Sequence, residues 1–129
     1  MKIKQNILSV LYALVWVGAS EFVRNQLIFK SYWVDHYASL GLTFPQKPLN
    51  GAMWGLWSLC FVGVVYVLAK KFTLRQTVLL SWFMGFVLMW IVIGNLGVLP
   101  GKLLFFAVPL SVLEALGATW IMKKPGKMS

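Results

Sequence analysis

Four stretches of nearly unbroken apolar residues constrain this chain more than any other feature of its sequence. They cover residues 7–23, 51–69, 77–99 and 103–122. Each is close to the about 20 residues that a helix needs to cross about 30 Å of hydrocarbon. Strands of a membrane barrel alternate polar and apolar residues, whereas these stretches are apolar at successive positions. We therefore predict an all-α fold, a single transmembrane domain over residues 1–129 built as an antiparallel four-helix bundle.

Composition agrees with a lipid environment. Hydrophobic residues make up 60% of the chain and charged residues 12%, whereas soluble domains carry roughly 25% charged residues. The first stretch also resembles a signal peptide, because Lys2 and Lys4 precede it and Val17, Gly18 and Ala19 resemble a cleavage site. We interpret it as a transmembrane helix.

The distribution of positive charge predicts the orientation. Eight of the twelve Lys and Arg residues fall on one side of the predicted spans: Lys2, Lys4, Lys70, Lys71, Arg75, Lys123, Lys124 and Lys127. Cytoplasmic loops carry such an excess, so both termini are predicted to be cytoplasmic in a multi-pass protein of a bacterial inner membrane. The basic clusters would contact anionic lipid headgroups. A net charge of +9 is also found in nucleic-acid-binding proteins, but the placement of the charges at the ends of the spans argues against that role.

Only the first connection, residues 24–50, is long enough for structure of its own. Phe29, Trp33, Tyr37 and Leu40 recur in it at helical spacing. This pattern predicts a short amphipathic helix in the outer headgroup region with its aromatic side toward the lipid. An ordered loop with aromatic anchors is the alternative interpretation.

Glu114 is an acid within the fourth apolar stretch. On a helix it shares one face with four small residues, Ala107, Ser111, Ala115 and Ala118. Small residues allow close approach of another helix in lipid. We therefore expect Glu114 to face protein.

A second polar group lies at the end of the first stretch. Glu21 precedes Arg24 by three residues and Asn25 by four, a spacing that allows an ion pair along one helix. Asn95 lies at a similar predicted depth. At about 1.5 Å per residue from the cytoplasmic ends, Glu21 is predicted near about 21 Å and Glu114 near about 12 Å. A close pair of carboxylates within one chain is therefore not expected.

These polar groups support two hypotheses. An ionisable residue within a membrane by default marks an ion or solute path, which predicts a small transporter or channel-like protein for a small solute, cation or proton. Glu114 would be its titratable site, and the path would also include Ser111, Glu21, Arg24, Asn25 and Asn95. In the structural interpretation the same groups only fix helix packing, which fits a noncatalytic scaffold or accessory subunit binding a larger membrane partner. Four spans enclose little volume, so we expect a homo-oligomer, most simply a dimer.

Enzymatic and metal chemistry find little support. A lipid-modifying enzyme using His36, Asp35 and Glu21 is a third hypothesis, but the chain lacks a nucleophile motif. His36 is the only histidine, and a metal site usually needs three or four convergent ligands, so we predict no metal and no cofactor. Cys60, the only cysteine, is interpreted as a packing residue.

Small and aromatic residues suggest where helices approach. Gly51 and Gly55 form a GxxxG pattern, and Ser81 with Gly85 has the same spacing. Trp16 lies well within the first stretch, so we expect its indole N–H to find an acceptor or to pack at a helix interface.

Overall fold

The computed structural model describes residues 2–123, and this range is helical without any strand. Its helices are α1 (Lys2–Phe22), α2 (Lys30–Ser39), α3 (Pro48–Lys71), α4 (Leu74–Trp82), α5 (Leu88–Asn95) and α6 (Leu104–Met122). A π-helical stretch, Val23–Ile28, extends α1, and another, Phe83–Val87, joins α4 to α5. A short 3-10 turn, Gly101–Leu103, leads into α6. Lys124 and Lys127, two of the lysines behind the predicted orientation, lie outside the described residues.

Four of the helical segments are long and apolar enough to cross a membrane. They are Asn6–Ile28, Pro48–Lys71, Leu74–Asn95 and Gly101–Met122. This confirms the predicted number of membrane-spanning helices and indicates a multi-pass membrane protein. The third segment ends at Asn95 and not at residue 99 as predicted, because the chain turns at Gly97. The first span extends past the predicted end at residue 23, because Arg24 is neutralised within the protein and therefore does not force the helix to stop.

Local sequence explains where several helices begin and end. Pro48 occupies the first turn of α3, where its missing N–H is harmless. Thr73 caps α4 by accepting from the Gln76 backbone N–H, and the Gln76 side chain accepts from the Thr73 N–H. After α5, Gly97 has a φ of +78°, a conformation that favours glycine and turns the chain toward α6.

The fourth span is the centre of the packing, since α6 contacts α1, α3 and α4. The predicted small-residue face of this helix is buried, with Ala107, Ser111, Glu114, Ala115 and Ala118 each at most 2% exposed. The surrounding apolar core is built largely from alanine and valine: Ala13, Val17, Val62, Val65, Ala69, Ala115 and Ala118. As predicted, Glu114 faces protein.

Contacts between α1 and α6 occur in opposite order along the two helices. The Trp16 indole lies against Gly117, Arg24 reaches Glu114, and Phe29 shares a cluster with Leu103. Residues late in α1 therefore lie beside residues early in α6. This order determines which side chains can meet.

The first connection contains the predicted short helix, α2, but its aromatic stripe does not face outward throughout. Phe29 and Trp33 are buried against Leu99 and Leu103. Trp33 stacks on Phe44 with ring centroids 5.7 Å apart. The rings of Phe29 and Trp33 are covered by protein because the first connection folds back over the start of α6.

The glycines differ in how closely the chain approaches them. A methyl group at Gly85 would lie 2.6 Å from the Phe61 ring, so this predicted small-residue position is a tight helix contact. Gly51 and Gly55 have no neighbour within 4 Å of such a group, so their motif makes no close contact in the described part of the chain. Cys60 is exposed on α3, which corrects its interpretation as a packing residue. A thiol is apolar enough to face lipid.

Candidate functional site

The arginine cluster, defined as Glu21, Arg24, Asn25 and Glu114, is the most polar buried site in the described residues. One terminal nitrogen of Arg24, Nη1, donates to Glu114 Oε1 at 2.9 Å. The other, Nη2, donates to Glu21 Oε2. All four residues are at most 7% exposed. One guanidinium therefore lies between two buried carboxylates from different helices.

This convergence corrects the expectation that the two acids would stay at separate depths. Side chains on a helix lean toward its N-terminus. Because contacts between α1 and α6 occur in opposite order, Arg24 leans back along α1 while Glu114 leans toward the start of α6. The two side chains therefore approach each other, and the length of the arginine side chain covers the remaining difference.

Asn25 connects the cluster to the first connection. Its Nδ2 donates to the Glu21 carbonyl at 3.2 Å and to Glu21 Oε1 at 3.4 Å. Its Oδ1 accepts from the indole N–H of Trp33 at 3.3 Å. Trp33 was not part of the site predicted from the sequence. The need of a buried indole N–H for an acceptor is the feature that could have indicated it. The position of α2 is thus coupled to the charged residues.

Aromatic side chains surround the charged groups. The Trp16 indole donates to the Glu114 carbonyl at 2.9 Å, which confirms the expected acceptor for this intramembrane tryptophan. The Phe86 ring centroid lies 5.1 Å from Arg24 Cζ, within the range of a cation–π interaction. These contacts hold Glu114 and Arg24 in a largely apolar surround, where electrostatic interactions are strong.

Two other predicted residues lie outside the cluster. Ser111 lies one turn from Glu114, but its hydroxyl accepts from the Trp82 indole at 2.8 Å and donates to the Val108 carbonyl at 2.9 Å. Asn95 is exposed near the end of α5 and has no hydrogen bond to the cluster within the described range. The structure therefore brings together Glu21, Arg24, Asn25 and Glu114.

The residues of the enzyme hypothesis are not assembled. Asp35 is exposed, and His36 Nε2 lies 2.8 Å from the Gly97 carbonyl. Glu21 is instead engaged by Arg24. Over residues 2–123, no group of three His, Cys, Asp or Glu side chains is placed to hold a metal ion.

Charge in the arginine cluster is unequal. With both acids ionised, two negative charges face one positive charge, a sum of minus one. In addition, Glu114 Oε2 is buried and has no hydrogen-bond partner among the described residues. An uncompensated buried charge is costly, so the cluster has a physical reason to take up one further positive charge.

Three cavities of the described structure border the cluster. One, of about 220 Å³ between α1 and α3, is lined by Glu21 and Asn25 together with Gly18, Gly51 and Gly55. The arginine cavity, about 300 Å³, is lined by Arg24 and Glu114 together with apolar residues of α1 and α6 such as Val23, Ile28 and Leu113. The tryptophan cavity, about 240 Å³, is lined by Glu21, Asn50, Met53, Trp54, Trp57 and Met89. Glu114 therefore borders the arginine cavity, whereas Glu21 borders the other two.

Comparisons of this chain with protein-family models, with curated proteins and with solved structures gave no match.

Proposed function

We propose that this protein is a small membrane transporter that moves a solute or cation in exchange for a proton or another cation bound at the arginine cluster. In this proposal the helices form an antiparallel bundle in a bacterial inner membrane, with both termini cytoplasmic and α2 near the outer surface. The excess of lysine and arginine on one side of the spans supports the orientation.

The observation that carries the proposal is the buried guanidinium shared by Glu21 and Glu114. A structural ion pair needs only one acid. In an apolar interior the attraction within such a pair usually only offsets the cost of removing both charges from water. A second buried acid adds cost without improving that pair. It is explained if the site binds and releases a positive charge, as ionisable residues in membrane proteins commonly do.

The arginine cavity at Glu114 and the tryptophan cavity at Glu21 support a mechanism. A proton or cation at Glu114 neutralises the extra charge and leaves Arg24 free to pair fully with Glu21. When that charge leaves, the guanidinium is drawn toward Glu114, which loosens its hold on Glu21 at the tryptophan cavity. Arg24 can therefore couple occupancy at one acid to the electrostatic potential at the other.

Reconstitution in liposomes tests the proposal across several classes of solute. Liposomes containing a pH-sensitive dye are given a pH gradient and challenged separately with inorganic monovalent cations, ammonium compounds, amino acids and sugars. We expect one class to dissipate the gradient faster with the wild-type protein than in empty liposomes. Glu114→Gln should abolish the difference, because it removes the extra charge, yet remain folded with Arg24 neutralised by Glu21.

Asp35→Asn is the matched control, since Asp35 is exposed and is the only acid outside the cluster. It should respond as the wild type does. The proposal is contradicted if no class acts, or if Glu114→Gln retains full activity.

A scaffold or accessory subunit is the second candidate function. Gly51 and Gly55 make no close contact in the described structure and line a cavity of about 220 Å³ between α1 and α3, which a helix of another protein could enter. This candidate predicts that a defined membrane protein copurifies in fixed stoichiometry and is lost with Gly55→Leu but retained with Gly63→Leu. A second copy of this chain as the partner would instead support the expected dimer, which native mass spectrometry would detect.

A further inference from the structure

The tryptophan cavity has the composition of a site for a small organic cation. Two indoles, from Trp54 and Trp57, share its wall with the thioethers of Met53 and Met89. Its polar residues are Glu21 and Asn50, and the Asn50 Oδ1 atom accepts from the Lys47 backbone N–H at 3.0 Å. Aromatic faces attract cations, most strongly those of tryptophan, and an apolar wall accepts the methyl or methylene groups of an ammonium compound.

The Glu21 carboxylate retains the capacity to bind a cation. Its Oε2 atom accepts from Arg24, while its Oε1 atom receives only a 3.4 Å hydrogen bond from Asn25. A carboxylate has about four lone-pair positions, so Oε1 can accept a further donor or contact an ammonium group. With Glu21 and Glu114 both ionised, the net charge of minus one on the arginine cluster favours a cation there over a neutral or anionic ligand.

The Trp57 ring is stacked on Phe61 with ring centroids 5.0 Å apart, so one of its faces is covered. From these observations we infer that the tryptophan cavity binds the ammonium group of a small organic cation, between the Glu21 carboxylate and the Trp54 indole. The inference rests on the proposed transport function and names the substrate class. A volume of about 240 Å³ is sufficient for an ammonium compound of the size of choline. The ammonium group can belong to a free solute or to a lipid headgroup.

Binding measurements on the full chain test this inference separately from transport. The protein is placed in nanodiscs of phosphatidylglycerol, whose headgroup lacks an ammonium group, and titrated by calorimetry with choline. The neutral isostere 3,3-dimethylbutan-1-ol is titrated in parallel. We expect saturable binding of choline and none of the isostere at equal concentration, whereas equal binding of the two compounds would overturn the assignment of a cation site.

Variants locate the site. Trp54→Leu should weaken choline binding about tenfold, or about 1.4 kcal/mol, because a desolvated cation–π contact is removed. Trp54→Phe should recover part of the affinity, since it restores an aromatic face. Trp120→Leu is the matched control on α6, outside the cavity. Unchanged affinity in Trp54→Leu would show that choline binds elsewhere and would overturn the inference.

Lipid composition distinguishes the two sources of the ammonium group. The two nanodiscs must carry equal surface charge, because an anionic bilayer by itself concentrates choline. Weaker choline binding in equal mixtures of phosphatidylglycerol with phosphatidylcholine than in equal mixtures of phosphatidylglycerol with digalactosyl diacylglycerol identifies a headgroup as a competing ligand, and equal binding identifies a free solute. Both results support an ammonium site. If choline does not bind but another solute class dissipates the pH gradient in a Glu114-dependent manner, the substrate inference fails while the proposed function stands.

Discussion

The apolar core and the arginine cluster are both buried, but they are held together by different forces. In the core, alanine and valine side chains of α1, α3 and α6 are buried together, and their apolar atoms need no hydrogen-bond partner. In the cluster, each contact pairs charges or polar groups, and one oxygen of Glu114 remains without a hydrogen bond among the described residues. Shape complementarity therefore stabilises the first region, whereas the second depends on its balance of charge.

The comparison assigns stability mainly to the core and activity mainly to the cluster. Small residues in lipid gain free energy from close packing, which needs no change during a transport cycle. A charged site with one excess acid is suited to change its occupancy. Substitutions that alter only shape should thus act on stability, and substitutions that alter the charge balance should depend on which charge is removed.

Removing the guanidinium should have the largest effect. Arg24→Gln leaves two buried carboxylates without a cation, and loss of one partner from a buried ion pair costs about 3–5 kcal/mol. Thermal unfolding in nanodiscs, followed by tryptophan fluorescence, should show a markedly lower midpoint. Arg75→Gln, at an exposed position in α4, should leave the midpoint unchanged. Equal midpoints for the two variants would mean that Arg24 does not neutralise the cluster.

A change of shape at the contact between α1 and α6 should be next in size. A methyl group in Gly117→Ala would overlap the Trp16 indole, which must then shift and weaken its hydrogen bond to Glu114. Overpacking of this kind typically costs about 1–3 kcal/mol. Gly63→Ala, where a methyl group meets nothing within 4 Å, is the matched control in the same unfolding measurement. Similar stability of both variants would argue against the tight contact.

Loss of a single neutral hydrogen bond should have a smaller effect. Ser111→Ala removes the acceptor of the Trp82 indole N–H and should cost about 1 kcal/mol. Ser58→Ala is the control, because the Ser58 hydroxyl only donates to the Trp54 carbonyl of its own helix. Transport should be retained in both variants, since neither changes the charge of the cluster. Loss of transport in Ser111→Ala alone would show that Ser111 belongs to the ion or solute path, as predicted from the sequence.

The hydrogen bond between α2 and the turn after α5 should contribute least to stability. His36→Ala removes an exposed hydrogen bond to the Gly97 carbonyl, which we expect to contribute about 0.5 kcal/mol. Amide hydrogen exchange should increase only near the turn after α5, and the unfolding midpoint should stay constant. Asp35→Ala should alter neither quantity. A large fall in the midpoint for His36→Ala would show that α2 is more important to the fold than the cluster comparison implies.

Sequence patterns were sufficient for the spans and for the buried face of α6. Both follow from local rules, since the apolar length sets the spans and the 3.6-residue repeat places Ala107, Glu114 and Ala118 on one face. The first apolar stretch was predicted to end at residue 23, whereas the helical segment runs to Ile28. The pair of Arg24 with Glu21 follows from their spacing of three residues, whereas the contact with Glu114, which is 90 residues away in the chain, could not be read from the sequence.

The candidate site was only partly predictable for a related reason. Counting residues gives the depth of a Cα atom, but side-chain length and lean determine which groups meet. Arg24 consequently joins two acids that were expected to stay apart. Trp33 was missed because its acceptor, Asn25, becomes available only when α2 folds over the end of the first span.

A double-mutant cycle of Glu21→Gln and Glu114→Gln tests the central claim, that one buried guanidinium is shared by two acids, most directly. Each single variant keeps a neutral ion pair with Arg24, so its free energy of unfolding should remain within about 1 kcal/mol of the wild type. The double variant leaves Arg24 buried without an acid and should lose about 3–5 kcal/mol, a strongly non-additive result. Additive effects, with each single variant losing about half of the total, would contradict the account.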